Sequence, residues 1–199
     1  SDELNKKYVD LRNFKIFNED ILKFDLEKNM KKNSIIIGNL PYNISSQILI
    51  KLIKLKKWLP KYKKLILMFQ KEVADKILAK YKTSNYGRLS IITAARLKIN
   101  SFFNVSPNSF YPVPKVKSTV LVFEPIVNKN NNIQNLENLE KVSHIFFSRK
   151  RKMINKGFNK LFKEPIITAR KININLKLRP NELTENEYFK IVELFEKQL

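Results

Sequence analysis

Short apolar runs alternate with helical patterns through the first two thirds of the chain, and this alternation limits the possible folds more than any other feature. Residues 34–37 form a β-branched run that stops at Gly38, and apolar residues at helical spacing follow over 44–55, with Ser45 as the candidate N-cap. The same patterns predict further strands at 14–17, 64–69, 98–105 and 119–123, and further helices at 71–81 and 91–97. Strands that alternate with helices predict an α/β fold with a mostly parallel sheet covered on both faces.

A change of composition divides the chain. Residues 128–138 are rich in Asn and poor in apolar side chains, which is typical of a linker, so residues 1–127 are predicted to form the α/β domain. Residues 139–199 carry only helical patterns and are predicted to form a small all-helical domain. Within it, the pattern over 139–162 favours one long amphipathic helix, and Thr184 opens a capping-box pattern before the last helix.

The chain is strongly basic, because 39 Lys and Arg residues outnumber 18 Asp and Glu residues and give a net charge of +21. Such a surplus predicts a polyanionic partner, since Lys and Arg displace the counterions that condense on phosphates. Nucleic acid is the partner that this charge favours, and an anionic membrane surface is the main rival. The abundance of Lys, Ile and Asn also fits an AT-rich genome without any selection for binding.

The composition excludes several kinds of site. Without cysteine the chain forms no disulfide, no thiolate zinc site and no cysteine nucleophile, and its single histidine, His144, disfavours a His-based metal cluster or a Ser-His-Asp triad. We therefore expect no metal. No apolar run approaches the roughly 20 residues that span a bilayer, and no signal peptide opens the sequence, so we expect a cytoplasmic protein without a membrane partner.

Asn39, Leu40, Pro41 and Tyr42 directly follow a predicted strand and precede a predicted helix. Ligands of open α/β sheets bind beyond the carboxyl ends of the strands, where this tetrapeptide lies. The Asn39 side-chain oxygen and the Leu40 carbonyl can each accept one N–H of the exocyclic amine of a nucleobase. Pro41 has a fixed φ that holds this carbonyl in place, and Tyr42 offers a ring for stacking. The alternative is an ordinary turn with a half-buried tyrosine.

A second segment, residues 109–118, is rich in proline and aromatic residues and leads into the last predicted strand. By itself it fits a proline-stiffened connection to an edge strand. Together with residues 39–46, it resembles the KsgA-type small-subunit ribosomal RNA adenine dimethyltransferases, whose close relatives are the erythromycin-resistance methyltransferases. The resemblance extends over nearly the whole chain and includes residues 70–73, 86–90 and 147–152.

The resemblance implies an S-adenosylmethionine-dependent adenine N6-methyltransferase with a Rossmann-like sheet and a helical RNA-binding domain. Residues 39–42 would bind the target base. Asp20 would accept a hydrogen bond from the adenine amine of the cofactor, with Ile21 beside it and Asn39 also at the cofactor. RNA would contact Tyr42 and a set of further aromatic and basic residues, namely Phe110, Lys115, Arg149, Lys150, Arg151 and Lys152. The structural alternatives are a solvated strand-end carboxylate or helix cap for Asp20, a core position for Phe110, and a solvated face for residues 149–152, here called the basic cluster.

The implied function is the dimethylation of N6 of two adjacent adenosines near the 3′ end of small-subunit ribosomal RNA, with a role in ribosome biogenesis. The partner is then the small ribosomal subunit precursor, and we expect the protein to be a monomer. Leu40 and the context of the basic cluster favour this function over that of an erythromycin-resistance-type enzyme, which acts on large-subunit RNA. A non-catalytic RNA-binding assembly factor is the alternative from another class.

One part of the family pattern is missing. The glycine-rich loop of the family's first strand needs several glycines close together, whereas this chain has only Gly38, Gly87 and Gly157. The acidic residue expected to bind the cofactor ribose is also absent. We therefore expect that the N-terminal strands of the sheet are missing, that the chain is part of a longer enzyme, and that these 199 residues alone are inactive.

Overall fold

The computed structural model describes residues 2–8, 11, 13–127 and 131–199. In these residues four strands and nine α-helices follow one another along the chain. In chain order they are α1 Asp2–Lys7, α2 Leu26–Asn29, β1 Ser34–Asn39, α3 Ser45–Ile53, β2 Tyr62–Gln70, α4 Lys71–Leu78, α5 Arg88–Arg96, β3 Leu97–Val105, β4 Ser118–Pro125, α6 Leu136–Phe147, α7 Asn155–Leu161, α8 Pro165–Lys171 and α9 Glu185–Glu196. None of the helices in the described residues is long and apolar enough to cross a membrane.

The strands form one four-stranded sheet in the order β1-β2-β4-β3. β1 pairs with β2 in parallel, and β4 lies antiparallel between β2 and β3. Three of the four strands therefore point in the same direction, although only one of the three pairings is parallel. The α/β fold is confirmed. The prediction of a mostly parallel sheet is wrong for the described strands, because β4 runs antiparallel to both of its neighbours and makes the sheet mixed.

Burial differs between the two faces of the sheet. On one face the side chains of β2 and β4 are buried, and those of Leu65, Leu67 and Phe123 have no exposed surface. On the other face, Ile35 and Ile37 of β1 are 48% and 76% exposed. The prediction that both faces are covered is therefore wrong for this part of the described chain, because β1 presents apolar side chains to solvent.

Two local predictions in the first half of the chain are wrong. Residues 14–17 form no strand, and Phe14 and Phe17 are about half exposed. A strand needs a hydrogen-bonded neighbour, and the alternation of side chains cannot supply one. Ser45 does not cap α3 either. It is the first helical residue, and its hydroxyl donates to the carbonyl of Tyr42 at 3.1 Å.

Helices α6 to α9 confirm that the last third of the chain is all helical. The prediction of one helix over 139–162 is wrong, because the chain turns between α6 and α7. A continuous helix would carry the four charged residues of the basic cluster around its whole circumference and so bury at least one of them. The turn instead lets Phe146 and Phe158 pack together, with ring centroids 5.8 Å apart.

The segment that precedes α6 is attached to the rest of the protein. Residues 128–130 of the predicted linker lie outside the described residues, but Ile133 and Leu136 are buried in the core, and α6 begins at Leu136. The Asn131 side chain donates to the carbonyl of Ala95 at 3.2 Å. At the last helix the capping box is confirmed, because Thr184 accepts from the Glu187 amide at 3.3 Å.

Gly157 allows α7 to pack closely on α6. A Cβ at this position would lie far inside van der Waals contact with the ring of Phe146, which is buried among aromatic neighbours. Overpacking a core costs about 1–3 kcal/mol, and the better helix propensity of alanine returns only about 1 kcal/mol. We expect Gly157→Ala to lower the free energy of unfolding, measured as the midpoint of urea denaturation.

Gly87→Ala is the matched control for this prediction, because a Cβ there would meet Phe147 at an ordinary 3.8 Å. Gly87 is the N-cap of α5, where alanine is less favourable than glycine, so the denaturation midpoint of Gly87→Ala should fall slightly, and less than that of Gly157→Ala. Equal midpoints for the two variants would contradict the close approach of α7 to α6.

Candidate functional site

Residues 39–42 lie where β1 ends and the chain turns into α3. Asn39 is the last residue of β1, opposite Met68 of β2, and its side chain is exposed. Gly38 makes the turn compact, since a Cβ there would lie 2.7 Å from Cδ2 of Leu40. Leu40 therefore folds back over the strand, half-buried, while Pro41 stays exposed. The Ile44 amide closes the turn by donating to the carbonyl of Pro41 at 3.2 Å.

Tyr42 is held at both its side chain and its backbone. Its hydroxyl forms a 2.7 Å hydrogen bond with the hydroxyl of Ser118, and its carbonyl accepts from Ser45. Both serines are fully buried, whereas Tyr42 is half-buried. The orientation of the Tyr42 ring is thus fixed, and part of the side chain remains accessible. The alternative, an ordinary turn with a half-buried tyrosine, accounts for the burial of Tyr42. It does not account for the hydrogen bond that fixes the orientation of the ring.

The bond between Tyr42 and Ser118 brings the two sequence segments together. Ser118 is the first residue of β4 and pairs with Gln70 at the carboxyl end of β2. The next residue, Lys71, donates its amide to the carbonyl of Lys117 at 2.9 Å. Residues 109–118 are thereby attached beside the carboxyl ends of β1 and β2.

The predicted RNA contacts in the second segment differ in exposure. Phe110 is half-buried, so its burial does not distinguish the predicted RNA contact from the alternative of a core position. Lys115 is exposed, and Tyr111 is fully exposed. Lys115 and Tyr111 are therefore open to a large ligand that approaches the carboxyl edge of the sheet.

Asp20 and Ile21 lie in a compact turn formed by residues 20–24. Asp20 is exposed, and its Oδ1 accepts from the amide of Leu22 at 2.9 Å. Its second carboxylate oxygen leaves room for a further donor, since a carboxylate accepts several hydrogen bonds. Ile21 is half-buried against the core. These two residues fit the adenine end of a nucleoside, one as the acceptor for an amine and the other as an apolar contact.

The basic cluster lies in the turn between α6 and α7. Arg149, Arg151 and Lys152 are exposed, whereas Lys150 is half-buried and donates to the carbonyl of Ser84. Cations that follow the C-terminus of a helix are also favoured by its dipole, so the cluster has a structural reason to be basic. Its three exposed members remain available to phosphates.

Two residues that sequence reasoning did not assign take part in this arrangement. Ser118 orients Tyr42, and no local pattern distinguishes it from other serines at the start of a strand. Lys51 of α3 donates to backbone carbonyls of the turn at 20–24. The sequence offered only a weak indication of this role for Lys51, namely its position three residues after the buried Ile48, beside the apolar face of the helix.

Arg96 is a further cation of the fold, at the end of α5. Its guanidinium donates to the carbonyls of Ile53 and Leu55 at 2.9 and 3.1 Å and lies over the ring of Trp58. Burial lowers the pKa of Arg96, against a smaller opposite effect of Tyr62. An arginine stays charged under all ordinary conditions, so this cation fastens the end of α3.

A family model and two curated relatives all match nearly the whole chain. The family model for "Ribosomal RNA adenine dimethylase" matches residues 1–197. The ribosomal RNA small subunit methyltransferase A of Pelagibacter ubique is 43% identical over 190 residues, which are 92% of this chain and 69% of that protein. That of Borreliella burgdorferi (strain ZS7) is 34% identical over 192 residues, which are 96% of this chain and 66% of that protein. The chain thus spans about two thirds of the length of these curated relatives.

Solved structures show a similar fold. A dimethyladenosine transferase from Plasmodium falciparum matches with a TM-score of 0.81 and 28% identity, over 99% of this chain and 78% of that one. The 23S rRNA methyltransferase ErmE matches with a TM-score of 0.65 and 19% identity, over 98% of this chain and 77% of that one. At that identity, the second match concerns the fold alone.

Proposed function

This chain belongs to the ribosomal RNA adenine dimethylase family, and from that membership we propose that it transfers methyl groups to N6 of adenosines in small-subunit ribosomal RNA. The resemblance inferred from residues 39–46 and 109–118 is confirmed, as is the methyltransferase fold. The observation that carries the proposal is the bond between Tyr42 and Ser118, which joins these two segments in one site.

Residues 39 and 40 supply the acceptors for the target amine. The Asn39 side-chain oxygen and the Leu40 carbonyl each accept one N–H of the adenine N6 amine. Two acceptors on one amine withdraw it from conjugation with the ring and turn its lone pair towards an electrophile. The side chains hold a position rather than remove a proton, because the cationic methylated amine is acidic enough to lose its proton to water. Preorganised acceptors of this kind are a major source of rate enhancement.

Tyr42 supplies the surface on which the target base stacks. Base stacking on an aromatic ring contributes about 1–3 kcal/mol, and Ser118 fixes the ring before the base arrives. An adenosine reaches this site only after it leaves its own stack, so the substrate is a loop or a single-stranded end. Phe110 and Lys115, on the attached segment, are the neighbouring contacts that we assign to the same RNA.

S-adenosylmethionine is the cofactor that this reaction requires, and it supplies a methyl group bound to a sulfonium. Of the residues present, Asp20 would accept from the adenine amine of the cofactor, Ile21 would contact its ring and Asn39 would lie at its reactive end. The three glycines of the chain are far apart in sequence. They therefore form no glycine-rich loop for the methionine part and the ribose, and the residues present fit the adenine end and the reactive end of the cofactor.

The assignment to the small subunit rests on relatives that carry this substrate in their names. The large-subunit alternative is not better supported, because ErmE is similar in fold alone. We place the protein in the cytoplasm as a monomer, with the small ribosomal subunit precursor as its partner. Residues 1–127 form the catalytic domain and 139–199 the RNA-binding domain in this proposal, joined by 128–138.

The experiment uses a chimera in which the part of the Pelagibacter ubique relative that this chain does not match is joined to the chain. The chimera is incubated with S-adenosylmethionine and with unmodified small or large ribosomal subunits, and nucleosides are then separated by chromatography. N6,N6-dimethyladenosine in small-subunit RNA is the expected result. Modification of large-subunit RNA alone would indicate the resistance-type activity, and RNA binding without modification would indicate an assembly factor.

The basic cluster is expected to bind phosphates of the RNA. Replacing Arg149, Lys150, Arg151 and Lys152 with Gln should weaken binding to all RNA sequences alike. The slope of log affinity against log salt should fall by about 0.7–0.9 for each phosphate that the variant no longer neutralises. Binding of a small-subunit RNA fragment, measured by fluorescence anisotropy at several salt concentrations, gives this slope.

A control variant removes the same charge elsewhere. Lys31, Lys32, Lys56 and Lys57 are exposed and precede β1 and β2, at the opposite end of the parallel strands. Their replacement with Gln should change the slope less. Equal slopes for the two variants would mean that the basic cluster is only a solvated surface.

A further inference from the structure

Lys51 fastens the turn that carries Asp20. Its Nζ lies 2.9 Å from the carbonyl oxygen of Ile21, 2.8 Å from that of Leu22 and 2.6 Å from that of Phe24. An ammonium group has three N–H donors, so each of them has one carbonyl partner. The aliphatic part of the side chain is half-buried in the last turn of α3.

The amides of the same turn are bound from inside. Leu22 donates to Oδ1 of Asp20 at 2.9 Å, and Lys23 and Phe24 donate to the carbonyl of Asp20 at 2.8 and 2.9 Å. Asp20 thus organises the amides of residues 22–24, and Lys51 organises the carbonyls that converge on the opposite side. Carbonyl dipoles that point to one place repel each other, and a cation at that place removes the repulsion.

We propose that Lys51 is a positioning residue for the carboxylate of Asp20. The inference rests on the proposed function, in which Asp20 accepts from the adenine amine of the cofactor. Lys51 does not touch the ligand in this role. It holds the backbone of residues 20–24 in a conformation that leaves the second carboxylate oxygen of Asp20, the one not bound to the Leu22 amide, available. It also couples this turn to α3, which is separated by two residues from the target-base residues 39–42.

The first test measures amide hydrogen exchange in the 199-residue chain itself. Lys51→Met removes all three donors while keeping an unbranched apolar side chain, so the amides of residues 22–24 should exchange at least about tenfold faster. Lys54→Met is the matched control, because Lys54 follows the same helix but binds Glu140 at 2.7 Å. In the Lys54→Met variant the amides of residues 22–24 should exchange as slowly as in the parent chain.

Exchange of the β2 amides shows whether a variant has unfolded as a whole. If Lys51→Met accelerates them too, Lys51→Arg serves as the test, because a planar guanidinium keeps the charge but cannot reach three converging carbonyls equally well. The arginine variant should protect the turn in part. If the amides of residues 22–24 exchanged as slowly in the Lys51 variants as in the parent chain, the proposal would be overturned.

The second test measures the affinity of the chimera for S-adenosylmethionine by calorimetry. Lys51→Met should raise the Kd about tenfold, Lys51→Arg should recover part of the loss, and Lys54→Met should leave it unchanged. The affinity for RNA should not change in any of the three. A merely structural role would lower stability without this selective loss.

The outcomes separate this inference from the proposed function. If the turn loosens but the Kd for the cofactor stays the same, Lys51 is not a positioning residue, and the methyltransferase assignment stands. If the parent chimera binds the cofactor but modifies no RNA, the proposed function fails, while the Kd series still decides on Lys51. A parent chimera that does not bind the cofactor at all overturns the positioning role.

Discussion

Asn39→Ala should lower the rate of methyl transfer by the chimera about 10²–10³-fold, which is the usual cost of deleting one preorganised polar group in an active site. The Asn39 side chain is exposed at the end of β1 and supports no part of the core, so the fold should not change. The loss should appear in kcat, because the hydrogen bond matters most when the amine lone pair turns towards the methyl group. Single-turnover rates with a saturating small-subunit substrate give this value.

Asn39→Asp separates the acceptor role from other effects of the substitution. A carboxylate still accepts an N–H, so this variant should keep much more activity than Asn39→Ala. The affinity for RNA should stay the same in both, because neither substitution changes the proposed stacking on Tyr42 or the proposed phosphate contacts. Transfer by Asn39→Ala within a few-fold of the parent rate would show that Asn39 is not an acceptor for the amine.

The second methylation puts a limit on this site. After the first transfer the adenine N6 carries only one N–H, so the two acceptors that we propose, the Asn39 side chain and the Leu40 carbonyl, would no longer both be satisfied. The pocket must then accommodate one unpaired acceptor and one additional methyl group. The accumulation of monomethylated adenosine in Asn39→Asp would indicate that the second transfer is the more sensitive step.

Local sequence patterns predicted most elements of the sheet. The apolar run at 64–69 lies within β2, Tyr62–Gln70, and the β-branched run at 34–37 lies within β1, Ser34–Asn39. These predictions were correct because the burial of strands and helices against one another requires apolar residues at a regular spacing, and this spacing can be recognised within a few residues. The pairing of strands is not visible in this way, which is why residues 14–17 were wrongly predicted as a strand and β4 was not expected to be antiparallel.

Residue types suggest which ligands the candidate site would bind, whereas the geometry of the site could not be predicted from the sequence. The amide of Asn39, the ring of Tyr42 and the carboxylate of Asp20 suggest their ligands by residue type. The hydrogen bond that orients Tyr42 joins residues 76 positions apart, and the three bonds of Lys51 depend on how α3 packs against residues 20–24. Contacts of this kind follow from the fold as a whole and leave no local pattern.

The 199 residues alone are expected to bind S-adenosylmethionine no more tightly than about millimolar. In the proposed site Asp20 and Ile21 would meet the adenine end of the cofactor and Asn39 its reactive end, but its methionine part and its ribose need the close backbone approach that clustered glycines permit. Each missing charge-assisted hydrogen bond costs about 1.5–3 kcal/mol, and every 1.4 kcal/mol is a factor of ten in affinity. Two or three missing bonds thus turn a micromolar site into a millimolar one, and isothermal calorimetry should detect no heat of binding.

The affinity for RNA serves as the internal control, because Lys115 and three of the four residues of the basic cluster are exposed in these 199 residues. The chain should therefore bind a small-subunit RNA fragment with the salt dependence of the chimera, whereas only the chimera should bind the cofactor at micromolar concentration. This pattern would separate a chain that lacks cofactor contacts from one that is simply misfolded. Micromolar binding of the cofactor by the 199 residues would mean that other residues hold its methionine part, and that this site differs from the glycine-rich arrangement of the family.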